Sequence, residues 1–226
     1  MPPLKLYYAP GACSRVPLIM LEKTGVAFEA ELVVFMRGDH RSSEFLSLNP
    51  AGKIPVLKVG NETISQNPAI LLWLHAQHPA SNILRPTPSD LDRSRVLSDL
   101  LRFSSDLHPL VTRIRMPQFF CDMQGGPRRV KEMATEAISS QLASYEAILS
   151  KQKWLGGKDW SALDAYLHWV WFRITGAGFD SLPFPALSAH YQRTLNISEF
   201  QRAIERERHA QAWLDENGFS VKFPPS

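Results

Sequence analysis

Cys13 is the residue of this chain best placed to do chemistry. It follows an apolar strand pattern, Leu4-Lys5-Leu6-Tyr7-Tyr8, and the breakers Ala9-Pro10-Gly11-Ala12; a helical pattern then begins with Val16 to Leu21. A thiol at a helix N-terminus faces unpaired N–H groups and the positive end of the helix dipole. Both favour the thiolate, and with it nucleophilic or redox reactivity. A buried structural cysteine shares the same setting. Ser14 reads either as a second donor to such a thiolate or as the helix N-cap.

Two further stretches bear on the same question. In Asn49-Pro50-Ala51-Gly52-Lys53-Ile54-Pro55-Val56-Leu57, Pro55 stands at a strand entry, where a missing N–H is tolerated. A cis Ile54–Pro55 bond would turn the Ile54 N–H and C=O outward to hold an extended peptide; a trans bond leaves an ordinary strand-initiating proline. Ser65-Gln66-Asn67 ends one strand and opens a helix, and free N–H groups there suit a carboxylate. Gln66 adds an amide, while Asn67 reads equally as a plain N-cap. In an open α/β sheet, strand ends where helices begin are ligand sites. A thiol, a backbone pair and an anion cradle along one such edge would hold a small acidic peptide with its reactive group at the thiol.

The elements that position these residues follow from pattern and punctuation. Helices are predicted at about 14–24, closed by Gly25, at 43–48, stopped by Asn49-Pro50, and at 69–78, opened by Asn67-Pro68. Strands are predicted at 4–8, 28–35, 54–59 and 63–64, the last two joined by the turn signal Gly60-Asn61. The order is β-α-β-α-β-β-α, with a parallel pair first and a hairpin last. Residues 79–92 are rich in Pro, Ser and Asn, a linker composition. Beyond them the pattern is helical over 91–107, 128–149, 163–173, 185–194 and 198–217. Ser161 and Asp164 fit a capping box with Asp in place of Glu.

Bulk properties narrow the class. At 226 residues, two domains are expected. A net charge of +3 gives no indication of nucleic-acid or membrane-surface binding. Cys13 and Cys121 lie far apart without metal-ligand spacing, so neither a disulfide framework nor a metal site is expected. The longest apolar runs, such as 69–74, fall far short of the roughly 20 residues a membrane helix needs. The start, Met-Pro-Pro-Leu-Lys, lacks a signal pattern, and a cytoplasmic location is expected.

Taken in order, Tyr7 to Ser14, Asn49 to Pro55, the Gln66–Ile70 helix start and Ser161 to Asp164 resemble the cytosolic glutathione transferase family. The bacterial beta-class type is the nearest match, over nearly the whole chain. The resemblance implies an α/β thioredoxin-like N-terminal domain followed by an all-α C-terminal domain. Their limits are residues 1–80 for the first, 81–92 for a linker, and 93–226 for an electrophile-binding part that contributes to a homodimer. Cys13 matches the beta-class cysteine beside the glutathione sulfur, able to form a mixed disulfide with it. Ile54, before the cis-proline matching Pro55, would pair with the cysteinyl backbone of glutathione. Gln66 and Asn67 would hold its γ-glutamyl end, and Lys53 and Arg37 its glycine carboxylate. His108 matches a histidine that approaches the cysteine from the second domain, as hydrogen-bond donor or general acid. Tyr7 and Tyr8 are read as packing. Leu110, Ile114, Met116, Phe119, Phe120, Trp169 and Phe172 would supply apolar wall, with arginines at 113, 115, 128 and 129 nearby.

The chain departs from the beta pattern in three places. Asn67 replaces the usual Ser, Pro68 removes one N–H from the helix start, and Pro109 replaces a basic residue after the histidine. Weaker glutathione binding is the expected consequence. The function expected is conjugation of the glutathione thiolate to small hydrophobic electrophiles, in a detoxifying role. A thiol–disulfide transferase or lyase using Cys13 covalently is the second enzymatic reading. A non-enzymatic regulatory binding protein on the same fold is the third.

Overall fold

A computed structural model describes residues 2–220 and divides the chain into two compact units. The first holds the segment up to Ile83 and the segment from Asn196 onward; the second is Leu84–Leu195.

In the first unit β1 (Leu4–Tyr8) lies between β2 (Glu29–Leu32), parallel to it, and β3 (Val56–Val59), antiparallel; β4 (Glu62–Ser65) extends the sheet as a hairpin with β3. The order β2-β1-β3-β4 is the mixed sheet of the thioredoxin-like arrangement. Leu4, Leu6 and Tyr8 are buried on alternate positions of β1, as a period of two demands. The β3–β4 turn is Gly60-Asn61, with Gly60 at positive φ. β2 is shorter than its apolar pattern: Phe35 leaves the strand for a 3-10 turn over Phe35–Arg37.

Helix α1 (Arg15–Thr24) ends at Gly25 in the left-handed conformation. α2 (Ser43–Leu48) is capped by the Ser42 hydroxyl, and α3 (Asn67–Gln77) follows β4. α1 packs against α3 and against α9 (Ser198–Glu216), which explains why Val16 and Leu18 to Leu21 are wholly enclosed. Phe200, Ala203, Glu207 and Ala210 form the buried stripe of α9, at the spacing of one helix face.

The second unit is all helical: α4 (Asp90–Leu101), α5 (His108–Arg115), α6 (Gly126–Leu149), α7 (Ala162–Thr175) and α8 (Pro185–Leu195). α7 is apolar on nearly every side and packs against α5 and α8. Tyr166 stacks on Phe103 at its centre. The Ser161–Asp164 capping box is formed in both directions. One helix predicted over 91–107 is instead interrupted: Arg102–Leu107 is a π-helical turn between α4 and α5. Pro109 supplies the reason, since its ring has no N–H for the Ser105 carbonyl and would collide with it in an α-helix. The ladder widens by one residue to pass the proline. No helix among the described residues is long and apolar enough to cross a membrane.

Candidate functional site

The loop from β1 to α1 is closed by its own polar groups. Ala12 N–H donates to the Ala9 carbonyl (3.2 Å), and Ser14 Oγ both accepts from Ala9 N–H and donates to the Ala9 carbonyl, each at 3.3 Å. Ser14 is fully buried and occupies the N-cap position without a capping bond, so its hydroxyl staples the loop and caps nothing. Cys13 is half-buried at the helix entrance, and its thiol donates to the Ile54 carbonyl over 3.8 Å.

Ile54 is delivered by a second built loop. Asn49 is buried, donates through Nδ2 to the Lys53 carbonyl (2.6 Å) and accepts Ala51 N–H on Oδ1 (3.2 Å). Gly52 turns at positive φ, where an added Cβ would meet the His40 carbonyl at 3.0 Å. The Ile54–Pro55 peptide is cis. Ile54 and Tyr7 rest on the cluster of Val33, Phe45 and Val56, with the Tyr7 ring edge-on to Phe45. Burial raises the Tyr7 phenol above its ordinary value, which keeps it protonated and consistent with packing. Burial, and next the Glu207 carboxylate, do the same to Tyr8.

At the start of α3 the structure corrects the N-cap assignment. Gln66, exposed and at φ 73°, holds the N-cap position, and Asn67 lies inside the helix. A non-glycine residue in the left-handed region is strained, and such strain concentrates at functional sites. Asn67 is buried, and its Nδ2 donates to the Cys13 carbonyl at 3.0 Å. Cys13, Ser14, Ile54, Pro55 and Asn67 are thus drawn together by direct bonds or chain adjacency, with Gln66 next to them in the chain.

Arg37, Lys53 and His108 each have surroundings of their own. Arg37 grips Asp39 through two bonds (2.7 and 2.8 Å), and Asp39 also accepts Val34 N–H. The Arg37 guanidinium holds the Asp39 carboxyl below its usual range. A ligand carboxylate at Arg37 would share the guanidinium with Asp39. Lys53 is exposed on its loop. His108 belongs to the second unit, at the start of α5 just after the π turn, with its ring edge-on to Trp169. Ile114 and Trp169 are core residues of that unit, whereas Phe119 and Phe120 are exposed.

Sequence reasoning missed Asn49 as the builder of the Ile54 loop, although Asn-Pro-x-Gly is a turn signature. It also missed the anchor of α1. Arg15, directly after Ser14, donates through Nε (2.9 Å) and Nη2 to Glu207 of α9, with both side chains buried. Two turns further along the same face of α1, Glu22 binds Arg202 and Arg206. No local pattern signals a pair 192 residues apart.

Comparison with known proteins is consistent with this geometry. Residues 2–76 match the family described as "Glutathione S-transferase, N-terminal domain". The chain is 31% identical over 214 residues to glutathione S-transferase F10 of Arabidopsis thaliana, covering 92% of this chain and 89% of that protein. A sphingomonad glutathione S-transferase solved in complex with glutathione is 32% identical, with a TM-score of 0.77 over 90% of this chain and 98% of that one. A bacterial beta-class glutathione S-transferase of Sphingomonas chungbukensis is 29% identical, with the same TM-score and coverage.

Proposed function

The chain belongs to the glutathione S-transferase family, and from that premise we propose that it conjugates the glutathione thiolate to small apolar electrophiles beside Cys13. The observation that carries this reading is the contact of the Cys13 thiol with the Ile54 carbonyl. A cysteinyl backbone paired with Ile54 in extended form would bring its own sulfur to Cys13. Gln66, exposed at the start of α3, offers its amide and the helix N–H groups to the γ-glutamyl carboxylate. Lys53, Arg37 and His108 keep the roles their sequence positions imply: the first two toward the glycine carboxylate, the third as donor to a thiolate.

In the reaction the glutathione sulfur attacks an electrophilic carbon, forms the C–S bond and expels the leaving group with its electron pair. The site stabilises the thiolate near neutral pH, each unit of pKa depression corresponding to about 1.36 kcal/mol. Holding the electrophile on apolar wall supplies the rest by proximity. We further propose a homodimer in the cytoplasm, by analogy with the family.

Passage over immobilised glutathione tests the reading, with elution by free glutathione, followed by an assay with a chlorodinitrobenzene electrophile. Retention and turnover are expected. Absence of binding at millimolar glutathione overturns the proposal. The half-buried Cys13 thiol also favours a second activity, in which it attacks a mixed disulfide. Cys13→Ala separates the two: disulfide exchange is expected to vanish while conjugation survives.

A further inference from the structure

We propose that Asn67 is a positioning residue for the Cys13 thiol, acting through the Cys13 carbonyl and not as a ligand of the γ-glutamyl group. The proposal rests on the reading of Cys13 as the thiol beside the glutathione sulfur.

Asn67 is 3% exposed, and its Nδ2 reaches the Cys13 carbonyl at 3.0 Å. Its Oδ1 is enclosed and has no hydrogen-bond partner among the described residues. A flipped amide would set that oxygen against the Cys13 carbonyl, acceptor against acceptor, so the orientation is fixed by its one bond. A buried amide with an idle acceptor is unfavourable, and a smaller residue would avoid it. What the position gains is the donor. An amide so enclosed is not presented to a carboxylate, and Pro68 beside it has no N–H to offer one. The start of α3 is therefore poorer in anion donors than its position suggests and richer in ties to the Cys13 loop.

The tie acts where the thiol needs it. The Cys13 carbonyl already accepts Val16 N–H at 3.1 Å, and the second donor from Asn67 fixes the peptide plane between Cys13 and Ser14. That plane sets the direction of the Cys13 side chain. The thiol's own bond to Ile54, at 3.8 Å, is an S–H···O contact from a weak donor and acts together with the backbone in orienting it. A second donor on the carbonyl also draws off negative charge close to the thiolate.

The test is the rate of Cys13 alkylation by iodoacetamide against pH, without glutathione, in a Cys121→Ser background that leaves one reactive thiol. In Asn67→Ala the midpoint is expected to rise by about one pH unit, a tenfold loss of rate below it. The KM for glutathione is expected to change less than about twofold. Asn67→Ser, whose shorter hydroxyl misses the carbonyl, preserves the small polar character of the site and must shift the midpoint in the same direction should the alanine variant fail to fold. An unchanged alkylation profile in a folded variant overturns the proposal. A raised KM with an unchanged profile also overturns it and makes Asn67 a glutathione ligand. Because the alkylation is read without glutathione, a chain that fails to bind glutathione still answers this question.

Discussion

Asp164 in the second unit and Glu207 in the first are both buried carboxylates, and they are satisfied in opposite ways. Asp164 Oδ1 accepts Leu155 N–H (2.9 Å) and His190 Nε2 (3.0 Å), while Oδ2 accepts Ser161 N–H (2.9 Å) and Ser161 Oγ (3.2 Å). Two of its four bonds come from Ser161 within the capping turn of α7, while the others come from Leu155 just upstream and from His190 of α8. Glu207 places its charge on one distant cation, Arg15, through Oε2 alone. Its Oε1 is buried with no partner among the described residues. The contrast separates a carboxylate that builds a local turn from one that fastens two helices far apart in the chain.

The largest effect expected is at Asp164. Asp164→Ala strips an acceptor from four donors at a fully buried position, and a loss on the order of 4–5 kcal/mol is expected in denaturant unfolding. A loss below about 1 kcal/mol would mean that water replaces the carboxylate, and the contrast with Glu207 would collapse. Glu207→Gln should cost about 3 kcal/mol, because Arg15 keeps an acceptor while its buried charge loses its counterion. Replacing both partners, Arg15→Met with Glu207→Met, should recover most of that loss. Failure of the double variant to recover would show that the pair is more than a mutual neutralisation.

An intermediate effect sets an alkaline limit on the second unit. Burial pushes the Tyr145 phenol up to about 12, against about 10 when unfolded. Between those values the folded chain keeps a proton that the unfolded chain releases, so stability falls as pH rises through this window. The loss from this group should total about 2–3 kcal/mol by its upper end. Tyr145→Phe should remove that part of the slope in unfolding measured between pH 9 and about 12, leaving the smaller contributions of Tyr7 and Tyr8, which shift the same way.

What could be read in the sequence tracks this local-against-distant division. Gly25, Gly60-Asn61 and the Ser161–Asp164 box each act within a few residues, and each turn formed as its residues predicted. The π turn at Arg102–Leu107 was hidden because Pro109 exerts its effect four residues upstream, inside an unbroken helical pattern. Asn67 looked like a cap because its residue type favours one. The strained backbone of Gln66 moved the helix start by one residue and sent the amide to Cys13. Arg37 looked available to a ligand carboxylate, yet the 3-10 turns bring Asp39 within reach of it. Arg15 and Glu207 left no trace, since their meeting depends on α9 returning to α1.

The smallest effect isolates burial from charge within that returning helix. Glu22 meets Arg202 at 2.7 Å and Arg206 at 2.6 Å, distances as favourable as those at Glu207. Its two guanidinium groups, however, are about half exposed, whereas Arg15 is enclosed. Water and salt therefore screen the Glu22 pairs, and Glu22→Gln should cost only about 1 kcal/mol. At 1 M salt, where screening acts within about 3 Å, that loss should shrink further. The Glu207→Gln loss should persist, because no ion reaches the Arg15 contact. Unfolding both variants at low and high salt therefore grades the two anchors by solvent access, with bond length held nearly constant. If Glu22→Gln proves as costly as Glu207→Gln and equally indifferent to salt, distance rather than burial governs how α9 is held.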